Sequence, residues 1–239
     1  MRLRLLACLV VVVSLFGACA SSNDEPTSQS PAGSDGGEQN ASSGEEDDSS
    51  PAVEILDSGF GQSDITAEAM VIVTTDSEAA LGESVTVSVN FLDAKGQILQ
   101  TEEQIESFNW VGQELALPVT PYDINPKQKI ASIEPSVSLS DYGMSQEPKA
   151  PLPVLDATEV KKGEYGGYTA SFAFTNETDT DLRNLRVGVV CYDASQKIIG
   201  GTSTYPELAP AGKTIRIDAD PTVSAKPATC KAFVNYDVS

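Results

Sequence analysis

The sequence predicts an all-β protein whose folded part is two tandem antiparallel β-sandwich units. Three observations carry that prediction. In Ser84-Val85-Thr86-Val87-Ser88-Val89-Asn90-Phe91 polar and apolar residues alternate strictly, which sets the valines and Phe91 on one buried face and the polar residues toward water. The same pattern returns about 100 positions later, as expected of an internal repeat. Val85, Val87, Val89 and Phe91 fall on Leu185, Val187, Val189 and Cys191. Asp93-Ala94 falls on Asp193-Ala194, Ile98-Leu99 on Ile198-Ile199, Gly112 on Gly212, and Leu115 and Leu117 on Ile215 and Ile217. A match in both identity and hydrophobic parity over that length reports duplication. Finally, no stretch shows sustained helical spacing with caps. Short one-sided sheets must hide their apolar faces against each other, so they close into sandwiches.

In chain order, Met1-Arg2-Leu3-Arg4 supplies positive charge, Leu5 to Phe16 is a nearly unbroken apolar run, and Gly17-Ala18 places two small residues before Cys19. A basic start, a short greasy segment and small residues at the cut describe a secretory signal peptide over residues 1–18. A membrane span would need about 20 apolar residues, and this run has about a dozen. Leu15-Phe16-Gly17-Ala18-Cys19 resembles the lipobox of bacterial lipoproteins, with Phe16 where an aliphatic residue is usual. That resemblance implies a diacylglycerol thioether on Cys19, the membrane as a partner through this anchor, and a location on the extracytoplasmic face of the bacterial cell membrane. Two acyl chains hold a protein stably where one holds it only marginally.

Residues 19–50 follow as an acidic tether. From Ala20 to Ser50 the chain has no basic or aromatic residue and no aliphatic larger than alanine. Such a segment cannot bury enough apolar surface to offset the entropy of ordering, and its reach as a random coil is roughly 30 Å. The acid run Glu45-Glu46-Asp47-Asp48 reads as a solvated spacer.

The first unit spans 51–146, with strands expected over 69–74, 84–91, 97–102, 114–119 and 136–140. Glu147-Pro148-Lys149-Ala150-Pro151-Leu152-Pro153 reads as a short, proline-stiffened joint. The second unit spans 152–239, with strands expected over 169–175, 185–191, 197–202, 214–218 and 229–236. Turn signals such as Asp93-Ala94-Lys95-Gly96 and Ala209-Pro210-Ala211-Gly212 separate them. Cys191 and Cys230 both lie on core faces, and in an exported domain such a pair closes a disulfide. The rival, a reactive redox pair, lacks Cys-x-x-Cys spacing and a neighbouring cation.

The valine-rich strand ending in Cys191-Tyr192-Asp193-Ala194, followed by Ile198-Ile199-Gly200-Gly201 and Leu208-Ala209-Pro210-Ala211-Gly212-Lys213, is similar to the FxLYD domain of prokaryotic surface proteins. Phe91-Leu92-Asp93-Ala94-Lys95-Gly96 resembles it more faintly. Val89 and Val189 stand in place of the motif's phenylalanine and Cys191 in place of its leucine, and the second unit alone keeps the tyrosine. The resemblance implies immunoglobulin-like sandwiches and no assigned chemistry.

The formal charge of -20 repels phosphate backbones and anionic headgroups, so the expected partners exclude nucleic acid. The absence of histidine removes the commonest general base and the commonest transition-metal ligand, so no metal and no cofactor is expected. Asp93 and Asp193 each open a turn, where aspartate caps its own backbone. Asn176-Glu177-Thr178-Asp179-Thr180-Asp181 offers oxygen ligands but lacks the glycine and distal glutamate of a calcium loop. Phe108, Trp110 and Tyr122 form the candidate partner-binding set, because loop aromatics stack on sugars or anchor proteins. The expected function is a non-enzymatic binding or scaffolding module for an envelope protein or glycan. The alternative is a hydrolase of cell wall or glycan, which needs two carboxylates facing one cleft.

Overall fold

The computed structural model describes residues 53–124, 128–140, 147–163 and 166–236; the signal segment, Cys19 and the acidic tether lie outside the described residues. The first half of the described chain contributes β1 (Val53–Gln62), β2 (Ala67–Thr75), β3 (Ser84–Leu92), β4 (Ile98–Ser107), β5 (Leu115–Val119) and β6 (Ser132–Ser140). The second contributes β7 (Val154–Asp156), β8 (Glu159–Lys162), β9 (Tyr168–Thr175), β10 (Leu182–Arg183), β11 (Leu185–Tyr192) and β12 (Ile198–Thr204). After these come β13 (Leu208–Ala209), β14 (Thr214–Ala219), β15 (Thr222–Val223) and β16 (Thr229–Tyr236). Among the described residues the one helical element is a 3-10 turn at Glu78–Ala80. The chain is all-β.

Four larger antiparallel sheets arrange these strands: sheet I (β1-β2-β5), sheet II (β4-β3-β6), sheet III (β15-β12-β11-β16-β7) and sheet IV (β14-β9-β8), with β10 and β13 as a separate pair. Sheets I and II enclose one core in sandwich fashion, with Val71, Val73, Val85, Val87, Val89, Phe91, Leu115 and Leu117 at its centre. A second core, between sheets III and IV, holds Phe172, Phe174, Leu185, Val187, Val189 and Ile217. Cys191 and Cys230 face each other across β11 and β16 at disulfide-bonding distance inside this second core.

The repeat has geometric counterparts. At the end of β3 the register shifts between Phe91 and Leu92, and at the end of β11 it shifts between Cys191 and Tyr192. The turns that follow carry one hydrogen-bond pattern. Asp93 Oδ1 accepts the backbone N–H groups of Lys95 at 2.7 Å and Gln97 at 3.0 Å, and Asp193 Oδ1 accepts those of Ser195 at 2.8 Å and Lys197 at 3.0 Å. Both aspartates are turn residues whose Oδ1 is taken up by their own backbone. The two backbone N–H groups hold the Asp93 carboxyl below its ordinary pKa.

A third apolar cluster lies between sheets I and III. Met70, Ile72 and Ala116 project from the outer face of sheet I onto Val190, Tyr192, Ile198 and Phe233 of sheet III. The approach is closer than side chains allow. A Cβ on Gly59 would stand 2.6 Å from Ile198, one on Gly201 would stand 2.6 Å from Met70, and one on Gly188 would meet the Ala116 backbone. Strands β2 and β5 of sheet I and β11 of sheet III are therefore buried on both faces, whereas the one-sided pattern of β3 gives sheet II a wet face. The joining segment is itself fastened down: Lys149 N–H donates to the Asn109 carbonyl at 2.8 Å, and the Tyr236 hydroxyl donates to the Ala150 carbonyl at 2.9 Å. The described chain from Val53 on belongs to one compact unit.

Candidate functional site

The β1–β2 hairpin turns through Ser63-Asp64-Ile65-Thr66, and its tip is built by its own hydroxyl. Ser63 Oγ accepts the N–H groups of Ile65 at 3.3 Å and Thr66 at 3.2 Å, and Ser63 N–H donates to the Thr66 carbonyl at 2.8 Å. At this tip Ile65 is 82% exposed. The base of the hairpin is pinned at Gln62. Its N–H donates to Ser224 Oγ at 3.0 Å, its Nε2 donates to the Gln128 carbonyl at 2.8 Å, and its Oε1 accepts Ile130 N–H at 3.1 Å. An exposed apolar tip thus stands on a rigid base.

Clefts open on both sides of that tip. One, of about 510 Å³, runs between the hairpin and the loops around Tyr168 and Pro221, and Asp64 and Asp220 both line it. Asp220 Oδ1 accepts the Thr169 hydroxyl at 2.6 Å. The other, of about 230 Å³, lies against Tyr122 and Ile124. Tyr122 is 81% exposed, so it and Ile65 present ring and aliphatic surface side by side along this hollow.

The structure separates the three aromatics singled out in the sequence. Phe108 is fully buried in the first core, where the β-bridge between Phe108 and Leu81 closes the sheet end; this corrects its assignment as a contact residue, since no partner reaches a side chain with 0% exposure. Trp110 is half-buried and lies edge-on to Tyr236, with ring centroids 6.3 Å apart and planes at 87°. Tyr122 lines the smaller of the two clefts. Trp110 precedes β5 and Tyr122 follows it, so about 17 Å of strand divides them.

In the acidic loop after β9, Asn176 and Asp181 are taken up by bonds within the loop and to its neighbour. Asn176 Nδ2 donates to the carbonyls of Thr180 and Ala209, both at 2.8 Å, its Oδ1 accepts the Thr178 hydroxyl at 2.7 Å, and Asp181 Oδ1 accepts Ala211 N–H at 3.0 Å. Among the described residues no three acidic or cysteine side chains gather as metal ligands. Sequence reasoning missed Asp64, Ile65, Tyr168 and Asp220. The readable signal was an isoleucine stranded in a polar turn, Gln62-Ser63-Asp64-Ile65-Thr66; Tyr168 and Asp220 come together through the pairing of β9 with β14, and Asp64 of the hairpin lines the same cleft. No protein-family model matches the chain, and no curated protein matches it.

Proposed function

We propose that this protein is a lipid-anchored, non-enzymatic binding module of the bacterial envelope, tethered at Cys19 on the extracytoplasmic face and built from two tandem, immunoglobulin-like sandwiches resembling the FxLYD domain. The duplicated turns at Asp93 and Asp193 and the two separate cores support the tandem reading. The anchor rests on the basic start, the short apolar run and Gly17-Ala18-Cys19. One observation carries the binding reading: the rigid hairpin tip holds Ile65 exposed between two clefts, beside the exposed ring of Tyr122. Exposed apolar groups on a fixed scaffold lose little conformational freedom on capture, which suits recognition of an envelope protein or glycan.

A photo-crosslinking residue at position 65 should trap a discrete partner in intact cells, and one at Trp110 should trap far less. Equal trapping at both positions, or none at either, would overturn the placement of the site. Cys19→Ala should release the protein into the medium; membrane retention of that variant would defeat the anchor. The glycan hydrolase remains the second reading because Asp64 and Asp220 line one cleft. It requires that Asp64→Asn and Asp220→Asn each abolish glycan cleavage, whereas the binding reading requires no cleavage by the wild type.

A further inference from the structure

At the joint of sheets I and III a polar group is buried without an acceptor. Asn235 lies on β16, on the face it shares with Phe233, and is paired in register with Arg186 of β11. Its Oδ1 accepts three donors: Asn109 Nδ2 at 2.8 Å, Gln113 Nε2 at 2.7 Å and Tyr236 N–H at 2.9 Å. Those contacts fix the amide's orientation, because exchanging its oxygen and nitrogen would aim three N–H groups at another donor. Asn235 Nδ2 is then left buried with no hydrogen-bond partner among the described residues. Beside it is a cavity whose lining includes Asn235, Arg186 and Glu106, with Ala116 and Phe233 as apolar walls. The cavity has about 10 Å³ for the centre of a water-sized sphere, which is room for one molecule.

We infer that this cavity is a binding site for a single ordered water molecule that accepts the Asn235 Nδ2 proton and donates to the Glu106 carboxylate. Two requirements meet there. A buried amide N–H needs an acceptor, and the Glu106 carboxylate, nearly enclosed beside Arg186 and already accepting Gln104 Nε2 at 3.3 Å, has lone pairs left for a further donor. A larger ligand does not fit. The water completes a bonded chain from Asn109 and Gln113 of the first half, through Asn235, to Glu106 of the first half and Arg186 of the second. It therefore belongs to the device that holds the halves in one orientation.

A crystal structure of the folded chain resolving ordered water should show one solvent peak within about 3.2 Å of Asn235 Nδ2 and in hydrogen-bond reach of Glu106. An empty cavity, a protein acceptor on Nδ2, or an amide turned the other way would each overturn the assignment. In solution, the Asn235 side-chain amide protons should show cross-relaxation with a water that persists through overall tumbling. Cross-peaks only of the kind given by rapidly exchanging surface water would refute it independently of any lattice.

Discussion

Glu68 lies on β2, opposite Gly61 of β1, on the face that carries Met70 and Ile72 into the joint. Removal from water penalises its charged form, and burial pushes its pKa from 4.5 up to about 7. The sign follows from proton counting. Between those two values the folded state binds more protons at Glu68 than the unfolded state, so stability falls as pH rises across that window and the penalty is complete above it. Two and a half units would be about 3 kcal/mol, a ceiling that residual solvent contact lowers. Glu68→Gln should therefore raise the melting temperature at pH 8 and leave it nearly unchanged at pH 4.5, relative to the wild type at each pH. A constant difference across the range would mean that the carboxylate keeps its ordinary affinity for protons. The contrast with Asp93 is instructive, because an exposed carboxylate that accepts two backbone N–H groups moves the other way.

Equivalent strands of the repeat differ in what covers them, and position 88 against 188 isolates the difference. Ser88 sits on the wet face of β3, while Gly188 occupies the same place on β11 and faces Ala116 of β5 across the joint. A Cβ at 188 would stand 2.9 Å from the Ala116 Cβ and would collide with its carbonyl oxygen, so the two sheets must part or bend. Gly188→Ala should cost about 1–3 kcal/mol by overpacking, and Ser88→Ala less than about 0.5 kcal/mol, as read from denaturant midpoints at constant slope. Equal effects would mean that the joint is loose. This pair also marks how far the sequence could be read. Inward parity announces itself in β3 and β11, because Val85, Val87 and Val89 match Leu185, Val187 and Val189. The outward positions carried the rest of the message: Ser88 and Asn90 in one copy, but Gly188 and Val190 in the other. Apolar and bare residues there signal a second buried face, yet nothing local names what covers it. Ile98 and Ile198 show the same limit, since the same residue at equivalent places is 58% exposed on sheet II and 1% exposed on sheet III. Strand β1 escaped notice because Asp57, Gly59 and Gly61 break its alternation, and those glycines are bare for the sake of the joint. The end clefts were illegible for the same reason, being made by non-local packing.

Across the whole molecule, the glycine-tight joint, the Asn235 network and the buried pair of Glu106 with Arg186 make the halves share interior surface. Beads on a linker would unfold separately, whereas one compact unit should unfold once. For about 190 residues the calorimetric enthalpy near 60 °C should be about 130 kcal/mol, and its van't Hoff counterpart should equal it; independent halves would give a van't Hoff value near half of that. The disulfide supplies a sharper discrimination, because it lies wholly in the second half. Cys191 and Cys230 are separated by 39 positions, and opening a loop of that length removes about 4 kcal/mol in the chain-entropy treatment. In a single cooperative body that loss is shared, so reduction of the non-lipidated Cys19→Ala chain should shift the entire transition to lower temperature and leave it single. If reduction instead splits the endotherm, with one component unmoved, the first half stands alone, and the joint between sheets I and III contributes contact without cooperativity.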